Sequence, residues 1–152
     1  MQGLALWAVA TPIHASLLQG GSAIIGANSW AGLGLALFGV GFLIESLADW
    51  QLTQFKADPA HQGQLCTTGL FALCRHPNYF GEILVWWGLG LVALGLTGRV
   101  WALAGPALIT FFLIRVSGVP PLEAVLAQRP GFAAWAARTP ALWPRLFRKP
   151  LP

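Results

Sequence analysis

The sequence predicts an all-α integral membrane protein, a helical bundle with about four transmembrane helices and a short cytoplasmic C-terminal helical segment. Only 9% of its residues are charged, against roughly 25% in an ordinary soluble domain. Hydrophobic residues reach 56%, eight residues are Trp, and the apolar residues gather in four runs separated by turns. Because 152 residues is about the length of one domain, residues 1–152 are interpreted as a single transmembrane domain.

The first apolar run covers residues 4–18, and a glycine-rich turn follows it. The second run begins at Trp30 and becomes polar near Leu47 without a helix breaker. Polar side chains continue at helical spacing as far as Lys56, so one long helix is predicted whose end emerges from the membrane. Four glycines in this helix offer surfaces for close contact with a neighbouring helix: Gly32, Gly34, Gly39 and Gly41.

The third and fourth apolar runs cover residues 83–96 and 100–114, and a tight turn at Gly98 joins them. Each run is shorter than the ~20 residues that cross a bilayer, so polar helix ends are expected to complete the crossings. After Arg115, the segment 118–121 contains two prolines and is predicted to break the helix before a short helix at residues 122–128.

The positive charges predict the topology. Eight of the nine Lys and Arg residues lie in the second-to-third connection, at Arg115 or in the C-terminal tail, and Arg99 lies on the other side. The positive-inside rule therefore places both termini in the cytoplasm. Although the net charge is +4, the cations flank apolar runs, so the expected partner is the lipid bilayer and not nucleic acid.

The octapeptide Arg75-His76-Pro77-Asn78-Tyr79-Phe80-Gly81-Glu82 concentrates polar groups in an otherwise apolar chain. Pro77 suits the first position of a helix, where its missing N–H costs nothing and its φ is already helical. His76 is pushed toward an extended conformation because it precedes a proline. A helix mouth with free N–H groups and flanking cations suits an anion. The plainer interpretation is a membrane-surface loop with cations that reach toward the headgroups.

Eight ionisable residues are predicted at this same membrane face: Glu45, Asp49, Lys56, Arg75, His76, Glu82, Arg115 and Glu123. Ionisable side chains beside apolar runs are costly, which favours a functional site. Arginine can grip phosphate, and carboxylates can accept bonds from ribose hydroxyls, so a nucleotide-like cofactor would fit. The alternative is an ion-pair network that fixes helix ends, such as Asp49 with Lys56 or Glu82 with Arg75.

No metal site is predicted. Cys66 and Cys74 flank the central turn and lack metal-ligand spacing with the histidines. On the cytoplasmic side they are expected to be reduced thiols. The sequence also lacks a zinc pattern, a phosphate-binding glycine loop and a Ser-His-Asp order, which argues against the soluble cofactor-binding folds.

The octapeptide, with Gly69-Leu70-Phe71 before it and Trp86-Trp87-Gly88 after it, resembles the C-terminal domain of the steroid 5-alpha-reductase superfamily. The resemblance is strongest to uncharacterised, mostly bacterial membrane members and covers about 45–152, whereas the two predicted helices in 1–44 match less well. It implies a location in the bacterial inner membrane. The Arg-His-Pro-x-Tyr core is also shared, more distantly, with isoprenylcysteine carboxyl methyltransferases and phospholipid methyltransferases, which bind S-adenosylmethionine.

The resemblance also implies a cofactor and its site. In the steroid and sterol reductases this region holds NADPH in a cytosol-facing pocket. The corresponding cofactor-binding residues here are Asp49, Lys56, Arg75, His76, Asn78, Tyr79, Glu82, Arg115 and Glu123. The residues that polarise the substrate in those reductases come from earlier helices and have no match here. The catalytic candidates are therefore Glu45, Tyr79 and Glu82.

The activity implied is transfer of a hydride from NADPH to a conjugated double bond of a lipid-soluble, steroid- or isoprenoid-like substrate. The alternative is an S-adenosylmethionine-dependent methyltransferase of a lipid or lipid-modified substrate. Those enzymes carry a Glu-Glu pair where this chain has Leu122-Glu123, and Asn78 and Phe80-Gly81-Glu82 favour the reductase. A non-catalytic membrane module is a further alternative, because the helices that supply substrate contacts are not matched.

Overall fold

The computed structural model describes residues 9–18 and 29–145, and within these ranges every regular element is helical. The α-helices are α1 (Thr11–Leu17), α2 (Ser29–Ala57), α3 (Pro77–Thr97), α4 (Ala104–Arg115), α5 (Val119–Leu126) and α6 (Phe132–Arg138). Short 3-10 helices cover Pro59–His61, Gly69–Ala72 and Val100–Leu103. The predicted all-α class is confirmed.

Three segments of the described chain are long and apolar enough to cross a membrane: Ser29–Ala57, Pro77–Thr97 and Val100–Leu126. The chain is therefore an integral membrane protein. The predicted crossing at residues 4–18 falls partly on residues 1–8, outside the described ranges, and its described part contains the seven-residue helix α1.

The predicted long helix is α2, which runs unbroken for 29 residues. At 1.5 Å per residue it is about 43 Å long, whereas the hydrocarbon core of a bilayer is about 30 Å thick. Its polar C-terminal end, with Lys56 in the last turn, therefore extends beyond the apolar layer.

Helices α2 and α3 pack as an antiparallel pair with contacts that repeat every seven residues. A Cβ added to any of three glycines of α3 would lie 2.6–2.7 Å from a backbone nitrogen of α2. The contact points are Gly81 with Glu45, Gly88 with Phe38, and Gly95 with Ala31. Small residues permit this close backbone approach, which is how membrane helices associate.

Two of the four glycines predicted to mediate helix contact do so. A Cβ on Gly34 would lie 2.6 Å from the carbonyl oxygen of Gly88, and one on Gly41 would lie 2.7 Å from that of Gly81. Gly32 and Gly39 have nothing within 4 Å of the corresponding position. The prediction was wrong for these two because they lie on a face of α2 that α3 does not cover.

The ends of α3 follow the local sequence. Pro77 is its first residue, His76 is its N-cap with φ −131°, and Gly98 ends it with φ 66°, a left-handed conformation that glycine adopts without a steric penalty. Helix α5 starts earlier than predicted, at Val119. The predicted break does occur, at residues 116–118 between α4 and α5, and the two prolines lie in the first turn of α5, where a backbone N–H is not needed.

The C-terminal segment returns to the start of α3. The backbone N–H groups of Arg75 and His76 donate to the carbonyl oxygens of Pro140 and Ala141 at 2.9 and 3.0 Å, and that of Arg145 donates to Leu73 at 3.1 Å. A buried cluster joins α3, α4 and this segment: Ile83, Leu113 and Leu142. The fold therefore brings residues from both halves of the chain to the mouth of α3.

Candidate functional site

A cavity of about 510 Å³ lies where α2 ends and α3 begins. One wall comes from residues within 52–66, a second from residues within 71–78, and a third from α5, the following turn and Trp135 of α6. Its volume is in the range of small-molecule pockets. The cavity therefore lies at the polar end of the α2–α3 pair, beside the octapeptide.

The cavity brings together four of the nine predicted cofactor-binding residues: Lys56, Arg75, His76 and Asn78. Lys56 is in the last turn of α2, and the other three come from the octapeptide. Five predicted residues do not line it: Asp49, Tyr79, Glu82, Arg115 and Glu123.

Arg75, His76 and Glu123 form a partly buried polar network. Arg75 Nε donates to Glu123 Oε1 at 2.6 Å, and His76 Nε2 lies 3.0 Å from the same oxygen. The His76 side chain is 2% exposed, that of Arg75 11% and that of Glu123 25%. Glu123 itself does not line the cavity, but it holds two residues that do. Arg75 therefore pairs with Glu123 and not with Glu82, the partner considered from the sequence.

The guanidinium of Arg75 also holds the C-terminal segment. Arg75 Nη1 donates to the carbonyl oxygen of Ala136 at 3.1 Å and also to that of Thr139. The guanidinium carbon lies 5.9 Å from the centroid of the Phe132 ring, within the range of a cation–π contact. Arg75 therefore forms part of the cavity wall and fastens α5, α6 and the residues after them to α3.

The pKa of His76 lies below its ordinary value of 6.5, chiefly because burial disfavours the charged ring. The charge of Arg75 adds to this effect, while the hydrogen bond and charge of Glu123 oppose it. The His76 ring stacks on that of Tyr79 with centroids 5.6 Å apart. A neutral imidazole in this position is suited to hydrogen bonding with Glu123 and less suited to binding an anion directly.

The three catalytic candidates lie together, deeper along α2 and α3 than the cavity. Glu82 interacts electrostatically with Glu45 and Asp49, and Tyr79 interacts with Glu82 and Asp49. We call Glu45, Asp49 and Glu82 the acidic cluster. Gly81 permits it, because the backbone of α2 at Glu45 packs directly against that glycine. In the described ranges, no three His, Cys, Asp or Glu side chains are placed to hold a metal ion.

Arg115 lies apart from both groups. It is the last residue of α4 and is exposed, and it does not line the cavity. The position fits a cation at the membrane surface, the role that the positive-inside rule gives it.

Sequence reasoning missed several residues of the cavity. Arg129 lines it and donates to the carbonyl oxygen of Gln64 at 2.7 Å. Phe55 and His61 also line it, and their rings stack 4.2 Å apart. The stacking follows from a 3-10 turn at Pro59–His61, directly after α2. The proline in this turn is a signal that the sequence offered. The position of Arg129 could not be predicted from the sequence, because it depends on the return of the C-terminal segment.

Both cysteines are free and buried, and one of them faces the cavity. Cys66 lines it, whereas Cys74 does not. Burial raises the pKa of the Cys66 thiol, and it raises that of Cys74 to about 11. These thiols are therefore protonated and weakly nucleophilic at neutral pH.

Comparisons with known proteins give the chain a family. Residues 1–139 match the family described as protein of unknown function DUF1295. The chain is 32% identical over 126 residues to the probable O-methyltransferase ustE of Ustilaginoidea virens. The matched region covers 82% of this chain and 42% of that protein. It is 33% identical over 90 residues to a steroid 5-alpha-reductase of Solanum lycopersicum, with 59% of this chain and 31% of that protein covered.

A third relative is the cobalt-zinc-cadmium resistance protein CzcN of Cupriavidus metallidurans, 35% identical over 83 residues, with 54% of this chain and 36% of that protein covered. The chain spans about a third to two fifths of the length of these relatives. No solved structure matches it. Because the family model covers nearly the whole chain, this membrane protein belongs to the steroid 5-alpha-reductase-like family DUF1295, in agreement with the resemblance seen in the octapeptide.

Proposed function

We propose that this chain is a membrane oxidoreductase that binds NADPH in the cavity and reduces a conjugated double bond of a lipid-soluble substrate. The charge of the cavity carries the proposal. Among the described lining residues, Lys56, Arg75 and Arg129 are cations and Asp58 is the carboxylate. NADPH carries a diphosphate and a further phosphate, whereas S-adenosylmethionine carries a sulfonium cation. A cationic lining favours the phosphate-bearing cofactor.

The donor set of the cavity fits such a cofactor. Asn78, in the first turn of α3, offers an amide that both donates and accepts hydrogen bonds. The aromatic rings of Phe55 and Trp135 supply apolar surface in the same lining. When bound, NADPH would supply the hydride, and the protein would bind, orient and shield it.

The acidic cluster supports a role in the same reaction. Asn78 and Glu82 are four residues apart on α3, about 6 Å along the helix axis, so the cluster lies next to the cavity on the membrane side. Carboxyl and phenol groups in this position are suited to polarise the carbonyl of a conjugated substrate that enters from the lipid. We propose Tyr79, Glu82 and Glu45 for this task.

A methyltransferase is the second candidate, and one observation favours it. The probable O-methyltransferase ustE covers 82% of this chain, a longer match than that of the steroid 5-alpha-reductase, at 59%. The acidic cluster is also compatible with the cationic groups of S-adenosylmethionine. The cationic lining of the cavity itself is the reason to prefer NADPH.

We further propose that the protein resides in a bacterial inner membrane with the cavity and both termini on the cytoplasmic side. The distribution of Lys and Arg supports the orientation. Relatives from bacteria, such as the protein of Cupriavidus metallidurans, support the host membrane.

Protection of Cys66 from alkylation tests the proposed site. The protein is purified with Cys74 replaced by Ala, so that Cys66 is the remaining thiol, and its slow labelling is followed at one fixed alkaline pH because burial raises the Cys66 pKa. Saturating NADPH is expected to slow the labelling, and Asn78→Ala is expected to raise the NADPH concentration that gives half of this protection. Protection by S-adenosylmethionine and not by NADPH would transfer the proposal to the methyltransferase, and protection by neither would contradict both.

A further inference from the structure

Two cations of the cavity remain without a carboxylate partner after its ion pairs are assigned. Arg75 is paired with Glu123. Asp58 accepts a hydrogen bond from the N–H of Ala60 at 2.9 Å and lies 3.6 Å from His61 Nδ1. Within the described ranges, neither Lys56 nor Arg129 forms an ion pair with Asp or Glu. The lining therefore keeps a net positive charge, because Asp58 is one carboxylate beside the two unpaired cations Lys56 and Arg129.

The backbone holds Arg129 in a fixed place on the cavity wall. Its N–H donates to Leu126 at 3.0 Å, and its carbonyl oxygen accepts from Phe132 at 3.3 Å. The turn between α5 and α6 is thereby closed on both sides of the arginine. The side chain is half-buried and faces the cavity.

The acceptor that Arg129 now has is a neutral one. Its guanidinium donates to the carbonyl oxygen of Gln64 at 2.7 Å. Gln64 is itself anchored, because its N–H donates to His61 at 3.0 Å and its side chain donates to Ala60 at 2.8 Å. A guanidinium has five N–H donors in a planar fork that matches the geometry of a phosphate, so Arg129 is suited to a second, anionic acceptor.

We propose that Arg129 is a phosphate-recognition residue, with Lys56 as a second cation in the same lining. A phosphate group of the bound ligand takes the donors of Arg129, in addition to or in place of the Gln64 carbonyl. The ligand class is an organic phosphate, either a nucleotide or the headgroup of an anionic lipid. The inference uses the cavity of the proposed function, but it does not require that the ligand is NADPH.

The experiment measures binding of inorganic pyrophosphate and of NADPH to the full chain in phosphatidylcholine nanodiscs. Arg129→Ala is expected to weaken pyrophosphate binding by about ten- to a hundredfold, the effect of losing hydrogen bonds to a charged group. Arg129→Lys should retain part of the affinity, because it keeps the charge but not the planar fork. Arg138→Ala is the matched control, since Arg138 is exposed on α6 and does not line the cavity.

Nanodiscs in which a third of the lipid is phosphatidylglycerol separate the two sources of phosphate. Competition of that lipid with pyrophosphate assigns the site to a headgroup, and competition by NADPH alone assigns it to a nucleotide. In either case, weaker binding to Arg129→Ala than to the wild type supports the role of Arg129. Equal pyrophosphate affinities of wild type and Arg129→Ala, or no binding to the wild type, would overturn it.

The same data separate this inference from the proposed function. If neither pyrophosphate binding nor NADPH binding depends on Arg129, the inference is contradicted and the proposed cofactor stays in place. Binding of pyrophosphate that depends on Arg129, with no binding of NADPH, supports the inference and contradicts the cofactor. Thermal unfolding of each variant shows whether a loss of binding comes from a loss of fold.

Discussion

The imidazole Nε2 of His76 lies 3.0 Å from the carboxylate of Glu123, 47 positions later in the chain. The same carboxylate oxygen accepts from Arg75 Nε at 2.6 Å. One side chain of α5 therefore holds both residues that precede α3. Because α5 and the turn after it form a wall of the cavity, this contact determines whether the candidate site has its full lining.

Replacement of Glu123 by Ala is expected to destabilise the protein. Arg75 and His76 would lose a shared acceptor, and hydrogen bonds to charged groups contribute roughly 1.5–3 kcal/mol. For a chain of this size that corresponds to a fall in melting temperature of about 5–10 °C. Thermal unfolding in detergent measures it, with Gln128→Ala, an exposed position after the same helix, as the control. Equal melting temperatures for Glu123→Ala and wild type would contradict the structural role of the network.

The burial of His76 predicts a dependence of stability on pH. Its pKa in the folded protein is below the ordinary 6.5, so the unfolded chain binds a proton more readily than the folded one. The contribution of neutral His76 to the stability is therefore fully present above about pH 6.5. It is lost as the pH falls through the folded pKa.

Melting temperatures of wild type and His76→Gln between pH 5 and 8 isolate this contribution. We expect the wild type to lose more stability toward acid than the variant, since the other titrating groups are common to both. Parallel curves of melting temperature against pH for the two proteins would contradict this prediction. They would mean that His76 has the same proton affinity in the folded and unfolded chain.

Much of the local structure was predictable, because it depends on neighbours in sequence. Pro77 begins α3, Gly98 ends it, and α2 continues through its polar end as its spacing indicated. The partner of Arg75 was not predictable from the sequence, because Glu123 is 48 positions away and only the path of the C-terminal segment brings it near.

The same reason explains Arg129, whose contact with Gln64 spans 65 positions. It also explains why only part of the predicted site shares one cavity. Helical spacing put Tyr79 and Glu82 on one face of a predicted helix, and the topology put Glu45 at the same membrane face, but neither indicates where along the helices a cavity forms.

A matched pair of glycine variants tests the α2–α3 contact. A Cβ at Gly41 would lie 2.7 Å from backbone atoms of α3, whereas one at Gly39 meets nothing within 4 Å. Gly41→Ala is expected to lower stability by about 1–3 kcal/mol, the usual range for overpacking, and Gly39→Ala should be neutral or slightly stabilising. Unfolding of the two variants in the same detergent gives the comparison. A Gly41→Ala variant as stable as Gly39→Ala would contradict the seven-residue packing.

Cysteine labelling tests the orientation of the protein in the membrane. Helix α3 has 21 residues and is about 31 Å long, so the loops at its two ends lie on opposite sides of a bilayer. In a background without Cys66 and Cys74, Gln62→Cys is expected to react from the cytoplasmic side and Arg99→Cys from the other side. Reaction of both positions from one side would refute the topology, and reaction from the reversed sides would refute the orientation.

Equilibrium binding of NADPH and of S-adenosylmethionine to the purified wild-type protein tests the central claim most directly. The cationic lining with Lys56, Arg75 and Arg129 predicts saturable binding of NADPH, and weaker or no binding of S-adenosylmethionine. Asn78→Ala, which removes a polar group of the cavity, should lower the NADPH affinity by about five- to a hundredfold. Saturable binding of S-adenosylmethionine with no binding of NADPH would contradict the reductase and favour the methyltransferase.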